Sequence, residues 1–283
     1  MEESWAETES RFRSYLVTHR RRSSTAKTYA SHARLLNDWS VCRGTCAAAA
    51  SSEIVASYLE ACLDLVSHNT AALRLSGIRA FYEYCRKSNF RTDDPTLDLS
   101  IRWEDLEPRP PHSDDELGVL LAGCRNDRDR TMITVTYACG LRVAEVVGLR
   151  DNNIFEERGE IIVKGKGGQE RRLWPEPGVF DALRPYMGRG ALWWTKDGKL
   201  LTVKRAQRNM EEIARRAGVH AHWHRLRTTF ANRALEAGIP LEDLQRLMGH
   251  RSAQTTQHYA GVYINRRALT GMRGLNLVGR LGA

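Results

Sequence analysis

Chemically capable side chains gather in a few short runs of this sequence. Gly140 to Glu145 (GLRVAE) carries Arg142, and Gly165 to Gly167 brackets Lys166. His224 to Arg227 (HRLR), Leu247 to His250 (LMGH) and Thr255 to Tyr259 (TTQHY) follow in the last third. Among their residues are two arginines, a lysine, two histidines and a tyrosine at the positions the chemistry needs, the parts to hold a phosphodiester and attack it with a phenol. Without a metal, such a cleavage needs cations against the charge growing on the non-bridging oxygens. Arginine suits this, because its planar fork donates two hydrogen bonds and stays charged. Arg142 and Arg227 are the candidates. His224 would donate to the phosphate or relay a proton, and His250, just past a glycine helix stop, is placed to be aimed at a ligand. Tyr259 is the candidate nucleophile, a phenol of ordinary pKa near ~10 made competent by surrounding positive charge. Lys166, on a glycine-flanked tip, can reach the leaving 5′ oxygen with a proton.

The elements that must position these groups are legible from spacing. Up to about residue 90 the chain reads as four helices: Arg11 to His19, Ala26 to Cys42 (Ala33 and Leu36 on one face), one capped by Ser51 and Ser52, and Asn69 to Tyr84 with Leu73, Ile78, Phe81 and Tyr82 inward. Residues 91–112 end in a proline-rich run and are expected to form a semi-rigid linker. Ser113 with Glu116 then has the form of a capping box. Residues 113–283 form the second predicted domain, helical from Asp114 to Cys124 and from Arg128 to Cys139. The runs Glu160 to Val163 and Arg172 to Trp174 flank Lys164 to Gln169 as a hairpin. Helices are expected again over Val203 to Ala217, Leu226 to Ala237 and Leu241 to Met248, each stopped near a glycine. The fold class is mainly α, with one small antiparallel sheet in the second domain.

Composition narrows the function classes. The 283 residues carry a net charge of +9. Residues 1–105 hold 14 basic and 14 acidic side chains against 29 and 20 in the remainder, so the surplus lies in the second part. Within the first part, residues 10–45 hold eight Arg and Lys against Asp38 alone. Two separate basic regions suggest a polyanion gripped from two sides, with Arg20, Arg21, Arg22 and Lys27 as expected phosphate contacts. The six cysteines are scattered without Cys-x-x-Cys spacing and are read as reduced thiols, mostly buried, rather than as ligands. No apolar run is long enough to span a bilayer and the acidic start lacks the form of a signal peptide, so a cytoplasmic, nucleoid-associated protein is expected.

In order and type, these motifs resemble the tyrosine recombinase family, with the size and layout of its Xer-like and phage-integrase members. The family's first arginine matches Arg142 in CGLRVAEVVGL, with Glu145 at its acidic position. Its hairpin lysine matches Lys166 in KGKGGQER, its His-x-x-Arg box His224 and Arg227 in HRLRTTFA, its His/Trp position His250, and its nucleophile Tyr259 in TTQHYAGV. The resemblance implies a helical core-binding domain (1–90), SAM-like in fold, and a catalytic domain (113–283). It also implies covalent 3′-phosphotyrosyl intermediates and no cofactor or metal. The implied partners are double-stranded DNA with an inverted-repeat site, a homo-tetramer on two synapsed sites, and an accessory protein or second recombinase. The tail from Asn265 on, with Gly271, Gly274, Gly279 and Gly282, departs from the family's exchanged C-terminal helix. Three other readings compete. Leu235 to Met248, two helices around a Gly-Ile-Pro turn, has the form of a helix-turn-helix, hence a non-catalytic sequence-specific regulator. A relaxing topoisomerase would use the same chemistry on one DNA site, and His220, His222 and His224 could offer three imidazoles to a metal.

Overall fold

The computed structural model describes residues 4–19, 21–104, 110–165 and 170–249. The chain divides into two compact units, Met1–Leu106 and Glu107–Ala283.

The first unit is four helices: α1 (Trp5–Thr18), α2 (Ser23–Val41), α3 (Ser52–Leu65) and α4 (His68–Lys87). The Ser51 side chain caps α3 by accepting from the Ile54 N–H, and Ser67 caps α4 through Thr70. Alanines 26, 30 and 33 keep the α2 face low, and α4 lies against it with Leu75, Ile78, Phe81 and Tyr82 buried. Phe12 of α1 closes the core edge-on to Phe81, with ring centroids 5.3 Å apart. Leu73, read from the sequence as inward, is 37% exposed. The buried face of α4 runs through Ala71, Leu75, Ile78 and Tyr82, and Leu73 falls about 160° from its centre.

The stretch read as a linker, 91–112, is divided between the units. Arg91 donates to the Ala48 and Ala50 carbonyls at 3.1 Å each, Leu99 and Ile101 pack on the first core, and the Asn69 side chain pairs with the Glu104 backbone. Pro110 and His112 bond instead to the second unit. Its side-chain anchors, not its composition, decide where this stretch belongs.

The second unit opens with α5 (Asp114–Ala122) behind the Ser113/Glu116 capping box, followed by α6 (Asp127–Cys139) and the five-residue α7 (Val143–Val147). Strands β1 (Ile154–Phe155), β2 (Glu160–Lys164) and β3 (Glu170–Leu173) form an antiparallel sheet in the order β1-β2-β3. The first of these, too short to show alternation, was not anticipated. Helices α8 (Pro177–Leu183), α9 (Val203–Ala217), α10 (Trp223–Glu236) and α11 (Leu241–Met248) follow among the described residues. Its core joins Met132, Ile133 and Val135 of α6 to Ile161, Val163 and Leu173 of the sheet and Leu226 of α10. Trp193 is 1% exposed and donates to the Val146 carbonyl, so it locks the loop after α8 beneath α7. Of the six cysteines, all free, Cys62, Cys85 and Cys139 are buried, whereas Cys42 and Cys46 are exposed at the α2 exit. Among the described residues no helix is long and apolar enough to cross a membrane.

Candidate active site

Arg142 is the N-cap of α7, reached through a turn that only glycine permits. Gly140 ends α6 in the left-handed region at φ 60°, and a Cβ there would come within 2.4 Å of the Phe230 ring. The turn thus sets α6 and α7 against α10. Glu145, at N3 of α7, accepts the Arg142 N–H at 2.7 Å, the reciprocal half of a capping box.

That carboxylate is the centre of the site. It accepts both Nη groups of Arg171 at 2.8 Å and Nη1 of Arg142 at 2.9 Å, and its Oε2 lies 3.8 Å from Nη1 of Arg227. Burial alone would raise the Glu145 pKa. The hydrogen bonds and charge of Arg171 outweigh it, helped by the Arg142 backbone and the Arg227 charge, and hold the carboxyl at about 2. Among the described residues, three guanidiniums therefore share one carboxylate.

The same three arginines take hold of the end of α11. Arg171 Nε donates to the Leu247 carbonyl at 2.7 Å, Arg227 donates to Met248, and Arg142 Nη2 donates to Gly249 at 3.2 Å. These are carbonyls of the last turn of a helix, which have no partner within it and attract cations. Arg227, 1% exposed, also donates to the Gly140 carbonyl. The Arg142 side chain keeps 39% of its surface open.

The expected groups are distributed as follows. Arg142 and Arg227, from separate motifs, meet on Glu145. His224 lies in the first turn of α10, as expected, and is exposed; its ring stacks with His222 at 9° and 6.4 Å between centroids. His222 itself caps α10 through Nδ1. No group of three or more His, Cys, Asp or Glu side chains suited to a metal occurs among the described residues. Lys166, His250 and Tyr259 lie outside the described residues, as does Arg20. Lys164 ends β2 with its ammonium 3.5 Å from Glu170. Arg21 and Lys27 are exposed and Arg22 is half-buried, all at the turn into α2.

Arg171 was missed. The signal lay in the pleat: Leu173 faces the core, so the residue two before it faces the same way, and Arg171 pairs in register with buried Val163. Its side chain occupies a position where an apolar residue is the ordinary expectation.

Comparison with known proteins agrees with this architecture. The phage integrase family model matches residues 113–266. Tyrosine recombinase XerC of Escherichia coli O1:K1 / APEC is 36% identical over 207 residues, covering 66% of this chain and 68% of that protein. Two solved structures share the fold. A lambda integrase tetramer bound to a Holliday junction has a TM-score of 0.72 at 16% identity, covering 89% of this chain and 79% of its own. XerH site-specific recombinase bound to its difH substrate has a TM-score of 0.70 at 19% identity, covering 92% and 81%. The chain belongs to the phage integrase family, the tyrosine-type site-specific DNA recombinases. The helix-turn-helix regulator is not favoured. Its second helix, α11, ends with its carbonyls bound by the arginine cluster.

Proposed function

We propose that this recombinase cuts and rejoins duplex DNA with Arg142, Lys166, His224, Arg227, His250 and Tyr259 as its working groups. The Tyr259 oxygen attacks the phosphorus and forms a 3′-phosphotyrosyl bond as the bond to the 5′ oxygen breaks. Lys166 gives the departing oxygen its proton, and His224 relays the phenolic proton. Arg142 and Arg227 hold the charge on the non-bridging oxygens, with His250 as a further donor. Because the phosphotyrosyl bond keeps the energy of the broken one, a free 5′ hydroxyl can reverse the step on the same or another strand, and the reaction calls for no cofactor.

The observation that carries this reading is the convergence of three arginines on one carboxylate, with the same arginines donating to the last carbonyls of α11, the helix that precedes His250 and Tyr259 in the sequence. Residues 1–90 serve as the core-binding domain, with Arg20, Arg21, Arg22 and Lys27 on phosphates, and 113–283 as the catalytic domain. The substrate is double-stranded DNA with an inverted-repeat site, in the cytoplasm at the nucleoid. Four protomers assemble on two synapsed sites, with an accessory protein or second recombinase as a possible addition; the lambda integrase tetramer on a Holliday junction supports this assembly.

Tyr259→Phe removes one hydroxyl from an otherwise intact basic site. It should bind DNA with native affinity yet form no covalent adduct with a duplex nicked near the cleavage point, read on a denaturing gel. An adduct with the variant would remove Tyr259 from the role.

A further inference from the structure

The His-Arg-Leu-Arg run contains a second arginine, and its side chain goes the other way. Residues two apart on a helix point about 200° apart. While Arg227 enters the Glu145 cluster, Arg225 therefore enters the opposite side of α10, where it is 7% exposed. There Nε donates to the Pro110 carbonyl at 3.0 Å, Nη1 to Glu116 Oε1 at 3.2 Å and to the His220 carbonyl, and Nη2 to Glu116 Oε2 at 3.0 Å. Its backbone N–H donates to His222 Nδ1 at 3.1 Å. Glu116 in turn accepts the Ser113 N–H at 3.0 Å, and one turn along α10 the Thr229 hydroxyl accepts the His112 N–H at 2.9 Å.

One guanidinium thus spans three segments: the irregular entry 110–113, the first turn of α5, and the loop 220–222 that leads into α10. His224 lies between its backbone attachment and that loop, its ring stacked on the capping His222. We propose that Arg225 is a positioning residue: its fork to Pro110, Glu116 and His220 fixes the first turn of α10, and thereby sets where the His224 imidazole meets the phosphate. This rests on the reading of His224 as a working group. Reacting groups displaced by about 1 Å can lose on the order of 100-fold in rate, so a loosened first turn is felt in cleavage before it is felt in binding.

The test is a double-mutant cycle on the full chain, with single-turnover cleavage of nicked duplex and DNA affinity measured side by side. Arg225→Gln in the native background should cleave at least about 10-fold more slowly with affinity within about twofold. In a His224→Gln background the same change should cost nothing further. Equal fold-losses in both backgrounds, or a fall in affinity matching the fall in rate, would overturn the proposal, because support of the fold alone multiplies through whatever His224 is doing. His224→Gln cleaving as fast as the native chain would instead overturn the reading of His224. Should Arg225→Gln fail to fold, as judged by its thermal midpoint, Glu116→Gln in the same two backgrounds decides by the same criterion. It keeps the side-chain size but removes the charge and turns one of the two accepting oxygens into an NH2 donor, so the fork to Arg225 loses one of its bonds.

Discussion

Two arginine–glutamate systems flank α10, one around the buried Glu145 and one around Glu116, whose side chain is 34% exposed, and they differ in how their charges balance. On one side Arg225 meets Glu116, one guanidinium to one carboxylate, with neutral carbonyls taking up the remaining donors. His112 beside them is 1% exposed and neither ring nitrogen has a hydrogen-bond partner among the described residues; burial, then the Arg225 charge, push its imidazole down to about 4 against the pull of Glu116 3.6 Å away. It is neutral at physiological pH. On the other side Arg142, Arg171 and Arg227 share, among the described residues, the one carboxylate of Glu145. The first system closes on itself and the second retains positive charge. Buried charge without a counter-charge is costly, so the unbalanced system is the one suited to an arriving anion. An arginine count does not separate the two systems, but the surplus left after internal pairing does.

The sharpest break in that comparison comes from the surplus arginines. Arg142→Ala and Arg227→Ala should each lose at least about 100-fold in cleavage, the size found when one preorganised charge-stabilising donor is removed, with a smaller change in DNA affinity. Arg142, partly exposed, is the cleaner variant, since Arg227 also supports the buried Gly140 and Met248 carbonyls. If affinity falls as far as rate, both arginines are phosphate clamps and the catalytic assignment is wrong.

Next in size is the carboxylate that gathers them. The folded pKa of Glu145, about 2, lies below its ordinary 4.5, so its stabilisation is full above about 4.5 and is lost as pH falls towards 2. The shift corresponds to roughly 3 kcal/mol. Glu145→Gln should lose stability of that order at neutral pH, and its unfolding free energy should vary less between pH 4.5 and 2 than that of the native chain. A parallel pH dependence in the two proteins would mean that Glu145 is not the charge that holds the cluster.

The balanced side predicts a separate window. Folded His112 titrates near 4 against an ordinary 6.5, so its contribution is full above about 6.5 and is lost as pH falls to 4, with up to about 3 kcal/mol at stake. His112→Phe should remove that slope while leaving the neutral-pH midpoint little changed, because among the described residues neither ring nitrogen has a hydrogen bond to lose. An unaltered slope in chemical-denaturation curves from pH 6.5 to 4 would contradict the buried neutral imidazole.

The smallest effect belongs to the basic residues before and at the start of α2. Replacing Arg20, Arg21, Arg22 and Lys27 by Ala should flatten the dependence of log affinity on log salt by roughly one unit per phosphate contact, up to ~4. An unchanged slope would mean that these side chains are merely solvated.

Much of this molecule was legible along the chain. The bounds of α9 and α11, the Ser113/Glu116 capping box and the hairpin all follow from signals that act within about four residues: apolar periodicity, caps and glycine stops. The order and type of the candidate groups were likewise readable, which is why the family could be recognised. The five-residue α7 escaped because it is too short to show a period, and Leu73 was misplaced because its apolar side chain was taken as inward although it lies on the far side of α4 from the buried stripe.

The sequence by itself determined the longer helices and the hairpin, because those choices are made by neighbours in the chain. It also supplied the arginines, histidines and glutamates, but a guanidinium carries no mark of its partner. Only the tertiary structure decided that Arg142 and Arg227 meet on Glu145, that Arg171 turns inward to join them, and that Arg225 closes on Glu116 instead. The reason is physical: each of those pairings depends on where α6, α7, β3, α10 and α11 come to rest against one another, and that is set by the shared core of the second unit rather than by any local run.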